Sequence, residues 1–168
     1  MNLKIKSLIL AIIASISAAA EETTFKQRLS YLTPYVGAFD VNNKKTHTML
    51  GIEYKYKAYN NSYIVPKLGG YLSSKSSAYG YVGFNIDFPM YKESLYLIPG
   101  FSVGRYFKGK GKDLGGALQF RSSIEIAYKM ANSHRIGLSL SHISNASIYK
   151  KNPGAEDITI NFSMPLGD

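Results

Sequence analysis

Eight stretches of the 168-residue chain alternate apolar and polar side chains with a period of two, and no stretch after residue 20 sustains a 3.6-residue period. They lie near residues 33–40, 47–57, 64–74, 77–90, 95–107, 116–130, 134–147 and 155–166, and they are rich in Tyr, Phe, Ile and Val. Turn-formers separate them: Asn42-Asn43, Asn60-Asn61, Ser73-Ser74, Lys92-Glu93, Gly109 to Gly111, Asn132-Ser133 and Asn152-Pro153-Gly154. An even number of strands joined by hairpins is what an antiparallel up-and-down β-barrel requires. The expected fold class is therefore all-β, with eight strands.

The alternation has a sense. In the sixth stretch Leu118, Phe120, Ile124 and Ile126 share one face, and Gln119, Arg121, Ser123 and Glu125 share the other. The fourth separates Val82, Phe84, Ile86 and Phe88 from Tyr81, Asn85 and Asp87; the second separates Leu50, Ile52, Tyr54 and Tyr56 from Glu53, Lys55 and Lys57. A soluble carrier of lipocalin type would turn the apolar faces inward, whereas an outer-membrane barrel turns them out. Many stretches meet the roughly 9 to 11 residues that a tilted membrane strand needs.

Residues 1–20 favour the membrane reading. Lys4 and Lys6, an apolar run from Leu8 to Ile13 and Ala18-Ala19-Ala20 ahead of Glu21 form the three-part pattern of a secretory signal peptide, leaving 21–168 as one barrel domain. The 14 Tyr and 8 Phe suit aromatic girdles at the two interfaces. Glu53, Lys55, Asp87, Arg121 and Glu125 are expected to form an interior ion-pair network. With no cysteine in the chain, disulfide stapling and thiol chemistry are excluded.

The formal charge of +9 falls to +7 without the two leader lysines, which favours an anionic partner. Export argues against nucleic acid, so the phosphates of lipopolysaccharide fit better. With both termini periplasmic, the outer loops fall near 41–46, 73–77, 108–114 and 147–154. They hold Lys44, Lys45, Lys75, Lys108, Lys110, Lys112, Lys150 and Lys151 against the single acid Asp113.

Chemistry concentrates at the outward end of the seventh stretch, in Ser141-His142-Ile143-Ser144-Asn145-Ala146, with Glu156 arriving after Asn152-Pro153-Gly154. His142 and Ser144 continue the parity of Ile136, Leu138 and Leu140, so they lie on the lipid-facing side, where Glu156 joins them through Ile158, Ile160 and Phe162. A serine hydroxyl is inert without a base, and histidine titrates near neutrality. Placing Glu156 opposite His142 lets a carboxylate hold the imidazole, and that register sets Ser144 opposite Gly154. Asn145 and the backbone N–H groups around Ala146 and Ser147 are candidate oxyanion donors, although strict alternation points Asn145 inward, so its role needs a local twist. Lys150 and Lys151, in the loop between the two catalytic strands, are candidate lipid-phosphate ligands. His47 and His134 lack metal-ligand spacing, and neither a metal nor another cofactor is expected. Gly109-Lys110-Gly111 lacks the strand-to-helix setting of a phosphate loop and reads as a mobile outer loop.

Residues Gly116 to Leu166, through Leu118-Gln119-Phe120-Arg121-Ser122, the Ser141–Ala146 segment, Asn152-Pro153-Gly154 and Glu156, closely resemble the lipid A 3-O-deacylase (PagL) family of outer-membrane acyl hydrolases. The upstream strands match only in general pattern. The resemblance implies an eight-stranded transmembrane barrel bearing a His-Ser-Glu triad on its outer surface that hydrolyses the 3-position ester of lipid A. His142 is then base, Ser144 nucleophile and Glu156 orienter, with Asn145 beside them. Two departures stand out: Ser147 where a glycine is expected, and a chain ending in Pro165-Leu166-Gly167-Asp168 instead of an aromatic residue. The competing expectation is a non-catalytic structural or adhesive barrel whose basic rim binds lipopolysaccharide. A homodimer is among the assemblies such a barrel admits.

Overall fold

A computed structural model describes residues 29–43, 46–58 and 62–167. The leader at 1–20, Lys44, Lys45 and the Asn60-Asn61 turn lie outside the described residues. The strands are β1 (Ser30–Phe39), β2 (His47–Lys55), β3 (Ile64–Ser73), β4 (Ala78–Ile86), β5 (Phe88–Met90), β6 (Leu95–Phe107), β7 (Leu118–Lys129), β8 (Arg135–Ser144) and β9 (Ala155–Leu166). Neighbours pair antiparallel in the order β4-β3-β2-β1-β9-β8-β7-β6, and β4 pairs with β6 to close the ring. β4 and β5 both lie against β6 and form one stave interrupted at Asp87. Eight staves close the barrel and leave no long free edge.

The apolar side chains face outward. Leu50, Leu72, Leu138 and Ile160 are 65%, 66%, 59% and 56% exposed, while Glu53, Lys55, Arg121 and Glu125 are all buried. This arrangement is stable only with hydrocarbon around the wall, and it overturns the soluble-carrier alternative. Side chains of opposite charge fill the interior. Lys55 Nζ lies 3.2 Å from Glu125 Oε2 and 3.8 Å from Glu53 Oε1, Lys67 lies 3.2 Å from Glu53, and Arg121 and Arg135 bind Asp157 and Asp87 at 2.8 and 2.6 Å. Four acids meet four bases, so the excess positive charge lies outside this core. Lys67, Arg135 and Asp157 complete the expected network; inward parity alone marks them.

The tyrosines depart from the girdle expectation. Seven of the fourteen (Tyr31, Tyr35, Tyr71, Tyr79, Tyr81, Tyr96 and Tyr106) are buried inside the barrel. The interior offers partners for several of their hydroxyls: Tyr79 donates to the Gln119 carbonyl at 3.0 Å, and Tyr81 to Glu53 at 2.9 Å. Phe39, Met49, Tyr71, Tyr79, Tyr106 and Leu114 pack together at the end where β1 stops and β2 begins. A narrow barrel filled by its own side chains is a wall and not a pore.

The Arg121–Asp157 pair ties β7 to β9 from inside, across β8. Arg121→Ala should destabilise the barrel by about 3–5 kcal/mol, because Asp157 is left charged with no exposure to solvent. Urea unfolding followed by heat-modifiable gel migration measures this. A loss below 1 kcal/mol would mean that water already satisfies Asp157.

Candidate active site

β8 and β9 pair antiparallel from Arg135↔Ser163 to His142↔Glu156 and Ile143↔Ala155, one step short of Ser144 and Gly154. In this register the two side chains face each other on the outer wall, and His142 Nδ1 lies 3.0 Å from Glu156 Oε1. A carboxylate can only accept, so Nδ1 carries the proton and Nε2 is the free lone pair. The pair is partly open, with side-chain exposures of 50% for His142 and 32% for Glu156. Ser144, the last residue of β8, stands two positions beyond His142 on the same face, opposite Phe120 of β7. Two strand steps place their Cα atoms about 6.6 Å apart, which two side chains can bridge.

Gly154 seats the imidazole. A Cβ at this position would lie 2.8 Å from His142 Cε1 and 3.4 Å from Nε2, so the ring occupies the space a side chain would fill. Its φ of +58° belongs to the left-handed region that glycine adopts freely. The sequence marks Gly154 as a turn residue, and only the strand register reveals the second reason for it.

β8 ends at Ser144, three residues earlier than the alternation suggests. Ile148 N–H donates to the Asn145 carbonyl at 3.0 Å, and Ala146 and Ser147 between them have φ of 51° and 64°. That is a type I′ turn built without glycine, at a cost of roughly 1 kcal/mol per residue. Ser147 adopts the conformation that the expected glycine would take, so the substitution costs stability and keeps the turn. This strain lies directly beside the candidate nucleophile Ser144.

Asn145 requires a correction. Its side chain points inward and is fully buried; its Nδ2 donates to the carbonyls of Leu114 and Lys151 at 2.8 and 2.7 Å. Its backbone N–H donates to Asn152 Oδ1 at 3.0 Å. With every N–H committed, Asn145 has no donor for an oxyanion; it anchors the β8–β9 loop to the β6–β7 loop. The N–H groups of Ala146 and Ser147 remain at the exposed turn beside Ser144. Asn152, missed in the sequence, clamps the start of that turn, and its Asn-Pro-Gly context was the available signal.

Lys150 and Lys151 are exposed in the same loop. The Lys151 carbonyl is held by Asn145, and a Cβ on Gly115 would collide with that carbonyl oxygen, so the backbone is pinned while the side chain is exposed. Nearby, the Gly115 amide and then Lys108 hold the Asp113 carboxyl below its ordinary range, keeping it an anion. Tyr149 lies against Gly116, and its hydroxyl accepts from Leu118 N–H at 3.2 Å, closing the loop onto β7. Among the described residues, no three of His, Asp and Glu converge to hold a metal ion.

The sequence model of the lipid A 3-O-deacylase (PagL) family matches residues 26–165. The lipid A deacylase PagL of Bordetella bronchiseptica is 29% identical over 108 residues, and the match spans 60% of this chain and 61% of that relative. The crystal structure of the outer membrane enzyme PagL superposes with a TM-score of 0.63 at 19% identity, covering 81% of this chain and 99% of that one. A de novo designed transmembrane β-barrel superposes with a TM-score of 0.54 at 12% identity, covering 84% and 100%. At these identities the structural likenesses establish the fold.

Proposed function

Because the chain belongs to the lipid A 3-O-deacylase (PagL) family, we propose that it resides in the outer membrane and hydrolyses the ester-linked acyl chain at the 3 position of lipid A. The observation that carries the mechanism is the 3.0 Å contact between His142 Nδ1 and Glu156 on the outer wall, with Ser144 two residues along the same face. With both ends of the barrel strand series periplasmic, the loops at 40–46, 74–77, 108–117 and 145–154 face outward, so the site meets the outer leaflet where ester and sugar head join.

Ser144 Oγ attacks the ester carbonyl carbon as His142 Nε2 takes its proton. Glu156 holds the ring and stabilises the imidazolium that forms. The carbonyl oxygen becomes an oxyanion, and the N–H groups of Ala146 and Ser147, fixed by the strained turn, are the donors that receive it. Collapse breaks the bond to the sugar oxygen, which leaves with the proton from His142. Water, deprotonated by His142, then attacks the acyl-Ser144 ester, and the fatty acid departs. Polar groups on a lipid-facing wall cost several kcal/mol at mid-bilayer but only about 0–1 near the interface, which favours a site at the strand ends.

Mass spectrometry of lipid A from cells expressing the chain tests the reading. The expected product has lost the one ester-linked acyl chain at the 3 position. Unchanged lipid A in cells that carry the folded barrel would favour the non-catalytic, lipopolysaccharide-binding alternative.

Lys150 and Lys151 are assigned to lipid A phosphate. Lys150→Gln with Lys151→Gln should lower kcat/KM on phosphorylated lipid A by about 3- to 10-fold, the worth of two exposed charge contacts, and should change a neutral ester in the same micelles less. Added salt should shrink the difference. Equal losses on both substrates would assign these lysines to loop shape.

A further inference from the structure

The β3–β4 turn and the β6–β7 loop are zipped together away from the triad. Lys110 N–H donates to the Lys75 carbonyl at 2.9 Å, and Ser77 Oγ donates to the Lys108 carbonyl at 2.8 Å. Gly109, at φ +54°, and Gly111 permit the approach: a Cβ on the first would collide with the Ser76 carbonyl oxygen, and on the second with Ser77 Oγ. Gly109-Lys110-Gly111 is thus a docked segment that presents one lysine beside another. Both lysines line an open cavity of about 750 Å³, together with Asp40, Asn43, His47 and Lys112.

Among the described residues, the charge of Lys75 and Lys110 in this cavity has no balancing carboxylate. Lys112 is committed to buried Asp40 at 2.6 Å. Lys75 and Lys110 are exposed and form no ion pair among the described residues. The backbone bond between their residues keeps both lysines on the wall of one cavity, where an anion would find two cations that no described carboxylate neutralises. The position also suits the site: Val41 N–H donates to the Glu156 carbonyl at 3.0 Å, so the Asp40 wall of the cavity lies one strand spacing, about 4.8 Å, from the strand carrying Glu156.

We propose that this cavity is a second subsite that binds a phosphate of the substrate's sugar head through Lys75 and Lys110, while the ester lies at Ser144. The assignment rests on the deacylase reading for the identity of the substrate. It is separate from Lys150 and Lys151, which sit on the loop between the catalytic strands.

The test uses the mature chain in detergent micelles with Ser144→Ala, so that binding is read without turnover. The probes are a fully deacylated glucosamine disaccharide bisphosphate, its dephosphorylated counterpart and inorganic phosphate, followed by titration calorimetry and by the NMR signal of the His47 ring, which lines the cavity. The bisphosphate should bind and shift His47, and the dephosphorylated sugar should do neither. Lys75→Gln with Lys110→Gln should weaken binding about tenfold, and the paired arginine variant, which keeps the charge, should retain it. Bisphosphate binding that is unchanged by the glutamine pair, or that leaves His47 unmoved, would overturn the assignment. Inorganic phosphate binding as tightly as the sugar would also overturn it, by showing a free-ion site. In the active chain the glutamine pair should raise KM for lipid A several-fold with kcat kept. If the wild-type chain leaves lipid A uncut while the binding results hold, the deacylase reading fails and the subsite stands.

Discussion

Ser144→Ala is expected to lower lipid A deacylation by about four to six orders of magnitude, and His142→Ala by a similar factor, because nucleophile and base act as a unit and neither works without the other. Glu156→Ala should cost about one to two orders less, since the imidazole keeps its place over Gly154 and loses only the carboxylate that fixes its tautomer. All three variants should still assemble. His142 and Glu156 are partly open on the wall, Ser144 ends its strand, and none belongs to the interior network. Turnover by lipid A mass spectrometry, beside heat-modifiable migration as the folding control, separates the two properties. Near-normal turnover by a folded Ser144→Ala barrel would remove Ser144 as nucleophile, and a Glu156→Ala loss equal to that of His142→Ala would give the carboxylate more than an orienting part.

The barrel was legible because its two environments differ so sharply. Leu118 to Ile126 alternates with Ser122 as the one polar residue on its apolar face, and that face had to meet hydrocarbon while the other met Asp157 or Lys55. The facing of His142 and Glu156 was legible for the same reason: parity put both outside, and a carboxylate within reach of an imidazole admits few registers. What escaped the sequence depends on segments far apart in the chain. Parity already points Asn145 inward, but that its amide is taken up by the Leu114 carbonyl, 31 residues away, and by the Lys151 carbonyl shows only in the fold. Composition does not tell a girdle tyrosine from a core one; strand parity does, as for Tyr81 beside Asn85 and Asp87, and the fold adds interior partners such as the Gln119 carbonyl for Tyr79. The lysine pair at 75 and 110 is visible only once Gly109 and Gly111 are seen to let two loops touch.

Gly154→Ala should lower kcat by about 100-fold with the barrel intact, a loss of the size that an ångström of misplacement produces. Two effects act in the same direction. A residue with a Cβ pays about 1 kcal/mol to hold φ +58°, so the β8–β9 loop is drawn toward other conformations. If the loop holds, the new methyl lies 2.8 Å from His142 Cε1, and the ring must tilt away from Gly154. Either movement displaces Nε2 from where the proposed mechanism needs it to meet Ser144 Oγ, since Nδ1 is tethered to Glu156 and the imidazole is rigid. The stability cost should stay near the strain alone, because the position closes a loop at the strand end and carries no interior charge. Binding of the lipid head to Lys150 and Lys151 should change little, so KM should move less than kcat. An alanine variant with kcat within threefold of wild type would mean that the imidazole does not rest on Gly154 during turnover. A large rise in KM with kcat kept would assign this glycine to the shape of the lipid-binding loop.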